Sequence, residues 1–132
     1  MAISQTASDI LQPIHDRLAA ERGWRRSTVD EMVEDWEQLR ALMAEGYEDF
    51  GLDDLENDLS VRTQLEEILT SSSGPAHDEL EEAVARTDRE IKAVTKELWN
   101  PISTEGQWWK HLIPVHPNPD LLEELILRRR YK

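Results

Sequence analysis

The chain of 132 residues has no cysteine, only five glycines and no long apolar run. Without cysteine it can form neither a disulfide nor a thiolate metal site, which fits a reducing cytoplasmic setting. No segment approaches the ~20 apolar residues that a membrane-spanning helix needs, and the first residues do not follow a signal-peptide pattern. These absences predict a soluble cytoplasmic protein that does not insert into a membrane.

Charged and helix-forming residues are abundant instead. A third of the residues are charged, and Glu, Leu, Ala and Arg dominate the composition. A chain of this length fits one domain. We therefore predict an all-α fold in which residues 1–132 form a single-domain bundle of four to five helices. An irregular connector over 100–119, rich in proline and tryptophan, is expected to pack on the bundle before a short C-terminal helix.

Two predicted helices precede the acidic middle of the chain. Pro13 is tolerated best in a first turn, so the first helix is expected from Pro13 to about Arg22, with an irregular or helical lead-in from Ser8. Its inner face is predicted to carry Ile10, Ile14 and Leu18, and Leu11 adds to that face. Thr28 is a favourable cap for the second helix, which is expected to end near Gly46. Its inner stripe comprises Val29, Met32, Val33, Trp36, Leu39 and Met43.

Three further helices follow. Asp53 or Asp54 can cap the third, whose predicted inner face comprises Leu55, Leu59, Leu65, Ile68 and Leu69. Arg62 interrupts that face, so we expect the Arg62 stem to be buried and its head to reach water. Pro75 opens the fourth helix, which is predicted to extend to Trp99. Its heptad seam comprises Leu80, Val84, Thr87, Ile91, Val94 and Leu98. The last helix follows Asn118-Pro119, and its predicted inner residues are Leu121, Leu122, Leu125 and Ile126.

The net charge of −13 is concentrated in the middle of the chain. Residues 27–91 carry twenty acidic and four basic side chains, whereas the flanks carry eight acidic and eleven basic ones. Such a segment is either a solvated surface or an interface that attracts a basic protein, and it argues against direct binding of nucleic acid. The densest stretch, predicted as a partner-binding surface, comprises Glu45, Glu48, Asp49, Asp53, Asp54, Glu56 and Asp58.

Five tryptophans are present, and two of them, Trp108 and Trp109, are adjacent in the proline-rich connector. Their indole rings can anchor the connector on the bundle by burying a large apolar area. Adjacent side chains seldom both point inward, and tryptophan is frequent at protein interfaces. Trp108 and Trp109 are therefore also predicted as aromatic partner-binding residues.

No pattern in the sequence indicates catalysis, a metal or a cofactor. His77 and Glu81 could share a helix face, but no second Glu-x-x-His pair completes a di-metal bundle site. His111 and His116 have no recognised ligand spacing. The serines at 71–73 are expected to form a loop, because no nucleophile-elbow motif surrounds them.

The first functional prediction is a non-enzymatic protein–protein interaction module. It would be an immunity or inhibitor protein whose acidic surface binds a basic toxin or nuclease. In its acidic, helical and cysteine-free character alone, the chain resembles bacteriocin-type immunity proteins. One alternative is a structural bundle that forms a homodimer through the helix-four seam or the tryptophans. The other is a small-molecule pocket beneath residues 101–119, where His111, His116 and Trp108 would converge.

Overall fold

A computed structural model of the chain describes residues 2–47, 52–97 and 108–127. Within these residues it confirms the all-α fold, with a small two-stranded sheet added to the helices. The helices are α1 Gln5–Arg22, α2 Val29–Ala44, α3 Leu52–Thr70, α4 Pro75–Lys92 and α5 Pro119–Leu127. The strands are β1 Thr95–Glu97 and β2 Leu112–Pro114, and a 3₁₀ turn over Trp108–His111, called the tryptophan turn, precedes β2.

Helix α1 begins at Gln5, so the predicted start at Pro13 was wrong. Ser4 caps the helix, and its hydroxyl accepts a hydrogen bond from the Ala7 N–H at 3.1 Å. Pro13 lies inside the helix and removes one backbone hydrogen bond. The additional N-terminal turns bury Ala7 and Leu11, and that apolar burial offsets the lost bond.

The inner face of α1 differs from the prediction in part. Leu11 and Leu18 are buried as predicted, whereas Ile10 is 58% exposed and His15 is buried beside the two leucines. The longer helix orients the stripe of Leu11, His15 and Leu18 toward the bundle, which places Ile10 outside. The His15 ring lies 6.1 Å from the Trp24 ring, and neither of its nitrogens has a hydrogen-bond partner among the described residues.

Helix α2 follows the prediction closely. The Thr28 hydroxyl accepts a hydrogen bond from the Glu31 N–H at 3.0 Å and caps the helix. Every residue of the predicted apolar stripe is buried, including Trp36, which is fully inaccessible. Helices α1, α3 and α4 all pack against α2.

Gly46 follows the end of α2 and lies beside the residues that precede α5. Gly46 has a φ of +85°, which favours glycine. A Cβ at this position would lie 2.5 Å from the His116 carbonyl oxygen, so a larger residue does not fit. The Asn118 N–H donates to the Gly46 carbonyl at 2.8 Å. The Asn118 side-chain oxygen accepts from the Leu121 N–H at 3.0 Å, so one residue caps α5 and ties it to α2.

The fourth helix ends at Lys92, so the predicted extension to Trp99 was wrong. Beyond it, β1 pairs antiparallel with β2, and Lys96 lies opposite Ile113. This pairing satisfies backbone groups of the connector and buries Ile113, so part of the segment predicted as irregular is ordered. Four residues of the heptad seam predicted for this helix lie within α4, and all four are buried: Leu80, Val84, Thr87 and Ile91.

Helices α3 and α5 complete the core. Leu55, Leu59, Leu65 and Ile68 form the buried face of α3 as predicted, and Leu69 is partly buried. Helix α3 begins at Leu52, so Asp53 and Asp54 lie within its first turn, and the cap predicted at one of them was wrong. In α5, Leu121 and Leu125 are buried, but Ile126 is 55% exposed, so its predicted inward position was wrong. The short α5 buries a narrow stripe with a four-residue step, and Ile126 lies beside that stripe.

Candidate functional site

Helices α2 and α3 are separated by an open cleft of about 590 Å³. Arg25 is the only basic residue among the described residues that line it. Its partly buried floor is apolar and includes Leu42 and Val61. We call it the acidic cleft, because four carboxylates line it: Glu31, Glu34, Asp35 and Asp58.

The acidic cleft follows from the spacing of residues on α2. Glu31, Glu34 and Gln38 recur at steps of three and four, so they share one helix face next to the buried stripe. Asp35 adjoins that face. Asp58 reaches the cleft from the opposite side, because it lies on α3 one turn before Val61.

Negative charge in the acidic cleft is incompletely compensated. Partial burial raises the pKa of Asp35 above its ordinary value, Arg25 opposes that rise, and Glu31 and Asp58 add to it. The pKa of Glu34 is also raised, chiefly by a hydrogen bond with the Asp30 side chain. A raised carboxyl pKa means that the surroundings disfavour the negative charge. Burial is the larger cause at Asp35, and a cation beside Glu31 and Asp58 would offset the contribution of these like charges.

Asp58 is oriented by a buried tyrosine. Tyr47 is fully inaccessible, and its hydroxyl donates a hydrogen bond to the Asp58 carboxylate. Burial, and then this hydrogen bond, raise the pKa of Tyr47 above its ordinary value, so the phenol stays protonated as the donor. The Asp58 carboxylate is therefore fixed at one wall of the cleft.

The predicted acidic surface and the acidic cleft share one described residue, Asp58. Glu45, Asp53, Asp54 and Glu56 are exposed and lie outside the lining of the cleft. Glu48 and Asp49 lie outside the described residues. Sequence reasoning missed Glu31, Glu34 and Asp35 because it favoured the densest run of charges, whereas their spacing along α2 was the available signal.

The two adjacent tryptophans have different surroundings. Trp109 is buried, and its indole N–H donates to the Thr63 hydroxyl at 2.9 Å. Trp108 is half-buried, meets the Trp109 ring edge-on, and has the Lys92 ammonium 4.3 Å from its ring centre. Trp109 therefore anchors the tryptophan turn on α3, while a partner-binding role for either ring stays a prediction.

The side of α3 that faces α4 contains a buried ion pair. Arg62 is 5% exposed, and its Nε and Nη2 donate to the two Asp88 carboxylate oxygens at 2.9 and 3.0 Å. The Trp36 indole N–H donates to the same carboxylate at 3.0 Å, and the guanidinium lies 4.2 Å from the Trp109 ring centre. We call this group the Arg62–Asp88 hub.

The expectation that the Arg62 head would reach water was wrong. Asp88 on α4 accepts two parallel hydrogen bonds, a geometry that suits a desolvated guanidinium. The flat Trp109 ring covers the guanidinium, which further excludes water. No sequence spacing joins these residues, because they meet only when α3, α4 and the tryptophan turn pack together.

A third polar group lies at the corner between α3 and α4. The Ser72 hydroxyl oxygen is 2.9 Å from His77 Nδ1, and His77 Nε2 is 2.8 Å from Glu81 Oε2. The predicted His77–Glu81 pair is therefore formed, and a serine completes a chain of three side chains. No spacing in the sequence indicated the Ser72 contact, because it depends on the turn at Ser73-Gly74.

No group of three or more potential ligands that could hold a metal ion occurs among residues 2–47, 52–97 and 108–127. The pocket predicted beneath residues 101–119 concerns a segment of which 101–107 lie outside the described residues. In the described remainder, Trp109, Leu112 and Ile113 belong to the core, and His116 is exposed.

In the described ranges, no helix combines the length and apolar character that crossing a bilayer demands. Comparisons of this chain with protein-family models, with curated proteins and with solved structures found no match.

Proposed function

We propose that this chain is a protein–protein interaction module that binds a basic protein through the acidic cleft. The observation that carries the proposal is the cleft itself, in which four carboxylates face one arginine across a space of about 590 Å³. Such a space admits one or more basic side chains of a partner. A lysine or arginine placed there would offset the part of the Asp35 pKa rise that comes from Glu31 and Asp58, whereas burial is the larger cause of that rise.

The charge distribution of the whole chain supports this kind of partner. The segment 27–91, which contains both helices of the cleft, has a large excess of carboxylates over bases. A field of one sign attracts an oppositely charged protein and accelerates association at low ionic strength. The same field repels nucleic acid, so we propose a protein partner. An immunity or inhibitor role, in which the module blocks a basic toxin or nuclease, is the most specific form.

The test uses a basic protein that is captured from the native host and then purified. We expect its affinity for the chain to fall on the order of 10-fold when Glu31→Gln, Asp35→Asn and Asp58→Asn are combined, with most of the change in association rate. Affinity should also fall as salt rises, because ions screen charges at an open surface. Surface plasmon resonance at several salt concentrations measures both effects.

A matched variant separates the cleft from total charge. Glu21→Gln, Glu82→Gln and Glu123→Gln remove the same number of charges at exposed positions that do not line the cleft. The proposal requires this control to bind almost as well as the unmodified chain. Equal losses in both triple variants, or binding that is insensitive to salt, would contradict a role for the acidic cleft.

The homodimer alternative has less support from the packing. The helical part of the helix-four seam is buried within one chain and offers no surface to a second copy. Among the described residues, this alternative could still use the half-buried Trp108 and the exposed apolar side chains of Ile10, Val115, Ile126 and Leu127.

A further inference from the structure

The corner between α3 and α4 holds a serine, a histidine and a carboxylate in one hydrogen-bonded chain. We propose that Ser72 is an activated nucleophile that accepts acyl groups from small activated carboxylic esters, with His77 as its base. This activity is separate from the acidic cleft, since Ser72, His77 and Glu81 do not line it.

The distances match the arrangement that activates a serine. Ser72 Oγ lies 2.9 Å from His77 Nδ1, within reach for transfer of the hydroxyl proton. His77 Nε2 lies 2.8 Å from Glu81 Oε2, so the carboxylate fixes the ring and favours a proton on Nε2. Nδ1 is then free to accept a proton from Ser72. Glu81 acts through His77 and is a positioning residue.

The start of α4 supplies hydrogen-bond donors beside this chain. Gly74 caps α4 without a side-chain hydrogen bond, and Pro75 occupies the first helical position. The N–H groups of Ala76 and His77, in the first turn, have no acceptor within the helix. Together with the positive end of the helix dipole, they favour the negative oxygen that forms when an ester carbonyl is attacked.

Only one of the three serines in this loop has the required contact. Ser71 and Ser73 are exposed, but no hydrogen bond of their hydroxyls to His77 occurs in the described structure. Ser72 is half-buried, and the His77 side chain is 18% exposed, so the site opens to solvent at the edge of the corner. This limited access selects small acyl groups.

The reaction proceeds by addition and elimination. Ser72 Oγ forms a bond to the ester carbonyl carbon while its proton moves to His77 Nδ1. The carbon–oxygen bond to the leaving group then breaks, and the alcohol departs with the proton from His77, leaving an ester on Ser72. Before the attack the Ser72 hydroxyl donates a hydrogen bond to the Ile68 carbonyl at 2.8 Å, so the hydroxyl must rotate to direct its proton at His77 Nδ1.

To test the proposal, the full chain is exposed to p-nitrophenyl acetate or to a fluorophosphonate probe. Intact-mass and peptide mass spectrometry then locate any adduct. We expect one adduct on Ser72 and none after Ser72→Ala. His77→Gln should slow labelling by ~100-fold or more, because general-base assistance contributes about that much. Glu81→Gln should slow it less, because Glu81 acts through His77 and does not itself contact the ester.

Ser71→Ala and Ser73→Ala are the matched controls, and both should label at the unmodified rate. Melting curves show whether each variant folds. If His77→Gln fails to fold, Glu81→Gln takes its place in the test, because it keeps the Ser72–His77 contact. An adduct on Ser71 or Ser73, or labelling of Ser72 that neither His77→Gln nor Glu81→Gln changes, would overturn the proposal.

Discussion

The two sides of α3 use carboxylates in opposite ways. Toward α4, the Asp88 carboxylate accepts hydrogen bonds from Arg62 and Trp36 and is almost completely enclosed. Toward α2, the acidic cleft is open to solvent, and the pKa of Asp35 is raised by partial burial and by like charges. The first arrangement holds helices together, whereas the second leaves charge available to an external cation.

This contrast shows that composition alone does not assign a role to an acidic residue. Both sides belong to the same strongly acidic segment. What separates them is whether a buried donor faces the carboxylate, because a desolvated charge must be paired whereas an exposed one is solvated by water. Variants that remove pairing on one side, or repulsion on the other, should therefore change stability in opposite directions.

The largest expected effect on the free energy of unfolding comes from removing the guanidinium of the Arg62–Asp88 hub. Arg62→Met leaves the Asp88 charge largely enclosed without its guanidinium, so we expect the free energy of unfolding to fall by about 3–5 kcal/mol. Adding Asp88→Asn should recover much of that loss, since the charge disappears and an acceptor for Trp36 remains. Urea unfolding of the single and double variants measures both changes.

The exposed pair of Arg40 and Glu90 provides the control for the hub. Its nitrogen and oxygen are 3.2 Å apart, but both side chains are about half exposed. Arg40→Met should therefore cost at most about 1 kcal/mol. If Arg62→Met costs no more than Arg40→Met, the hub does not have the structural role that its burial indicates.

A smaller effect is expected at His15, a buried polar group that lacks the pairing found in the hub. Its ring nitrogens have no partner among the described residues, so His15→Leu should raise the free energy of unfolding by about 1 kcal/mol. Burial lowers the pKa of His15 in the folded chain, although Asp16 opposes this. As pH falls below 6.5, the unfolded chain binds the proton first, and the folded state loses stability.

The pH dependence gives this prediction its clearest measurement. The stability advantage of His15→Leu over the unmodified chain should grow by at most about 1.4 kcal/mol per pH unit as pH falls from 6.5 toward the lowered pKa of His15. Urea unfolding of both proteins across that range measures the difference. A constant difference would show that His15 gains a partner or water when the folded chain is in solution.

The smallest effect is expected in the acidic cleft. Because the folded pKa of Asp35 is raised, its contribution to stability is present below the unfolded value of 3.8 and is lost as pH rises through the folded value. Asp35→Asn should therefore stabilise the chain at neutral pH, by less than about 1 kcal/mol because the site is exposed. Urea unfolding measures the free energy of unfolding, and Glu82→Gln, which lies outside the cleft, is the control. A loss of stability in Asp35→Asn would contradict an unfavourable environment for the Asp35 charge.

Local signals in the sequence were sufficient for much of the helical layout. The Thr28 cap, the stripe along α2, the stop near Gly46 and the Gly74-Pro75 start of α4 are all as predicted. These features depend on neighbours within a few residues. The position of Pro13 failed as a signal because the burial of Ala7 and Leu11 in the core of the bundle offsets a local cost.

The candidate site was less predictable. The acidic segment was visible in the sequence, but its densest run overlaps the cleft at Asp58 alone among the described residues. Which carboxylates face one another depends on how α2 and α3 pack, and that packing is set by their buried stripes. The contact of Ser72 with His77 similarly depends on the turn that joins two helices.

By itself, then, the sequence determined the all-α fold, the absence of cysteine chemistry and the concentration of charge in residues 27–91. These are properties of composition and of periodicity over a few residues. Tertiary structure alone decided that Arg62 is enclosed by Asp88 and Trp109 while Asp35 stays in an open cleft. The reason is physical: pairing and desolvation are set by residues that are distant along the chain and adjacent only after packing.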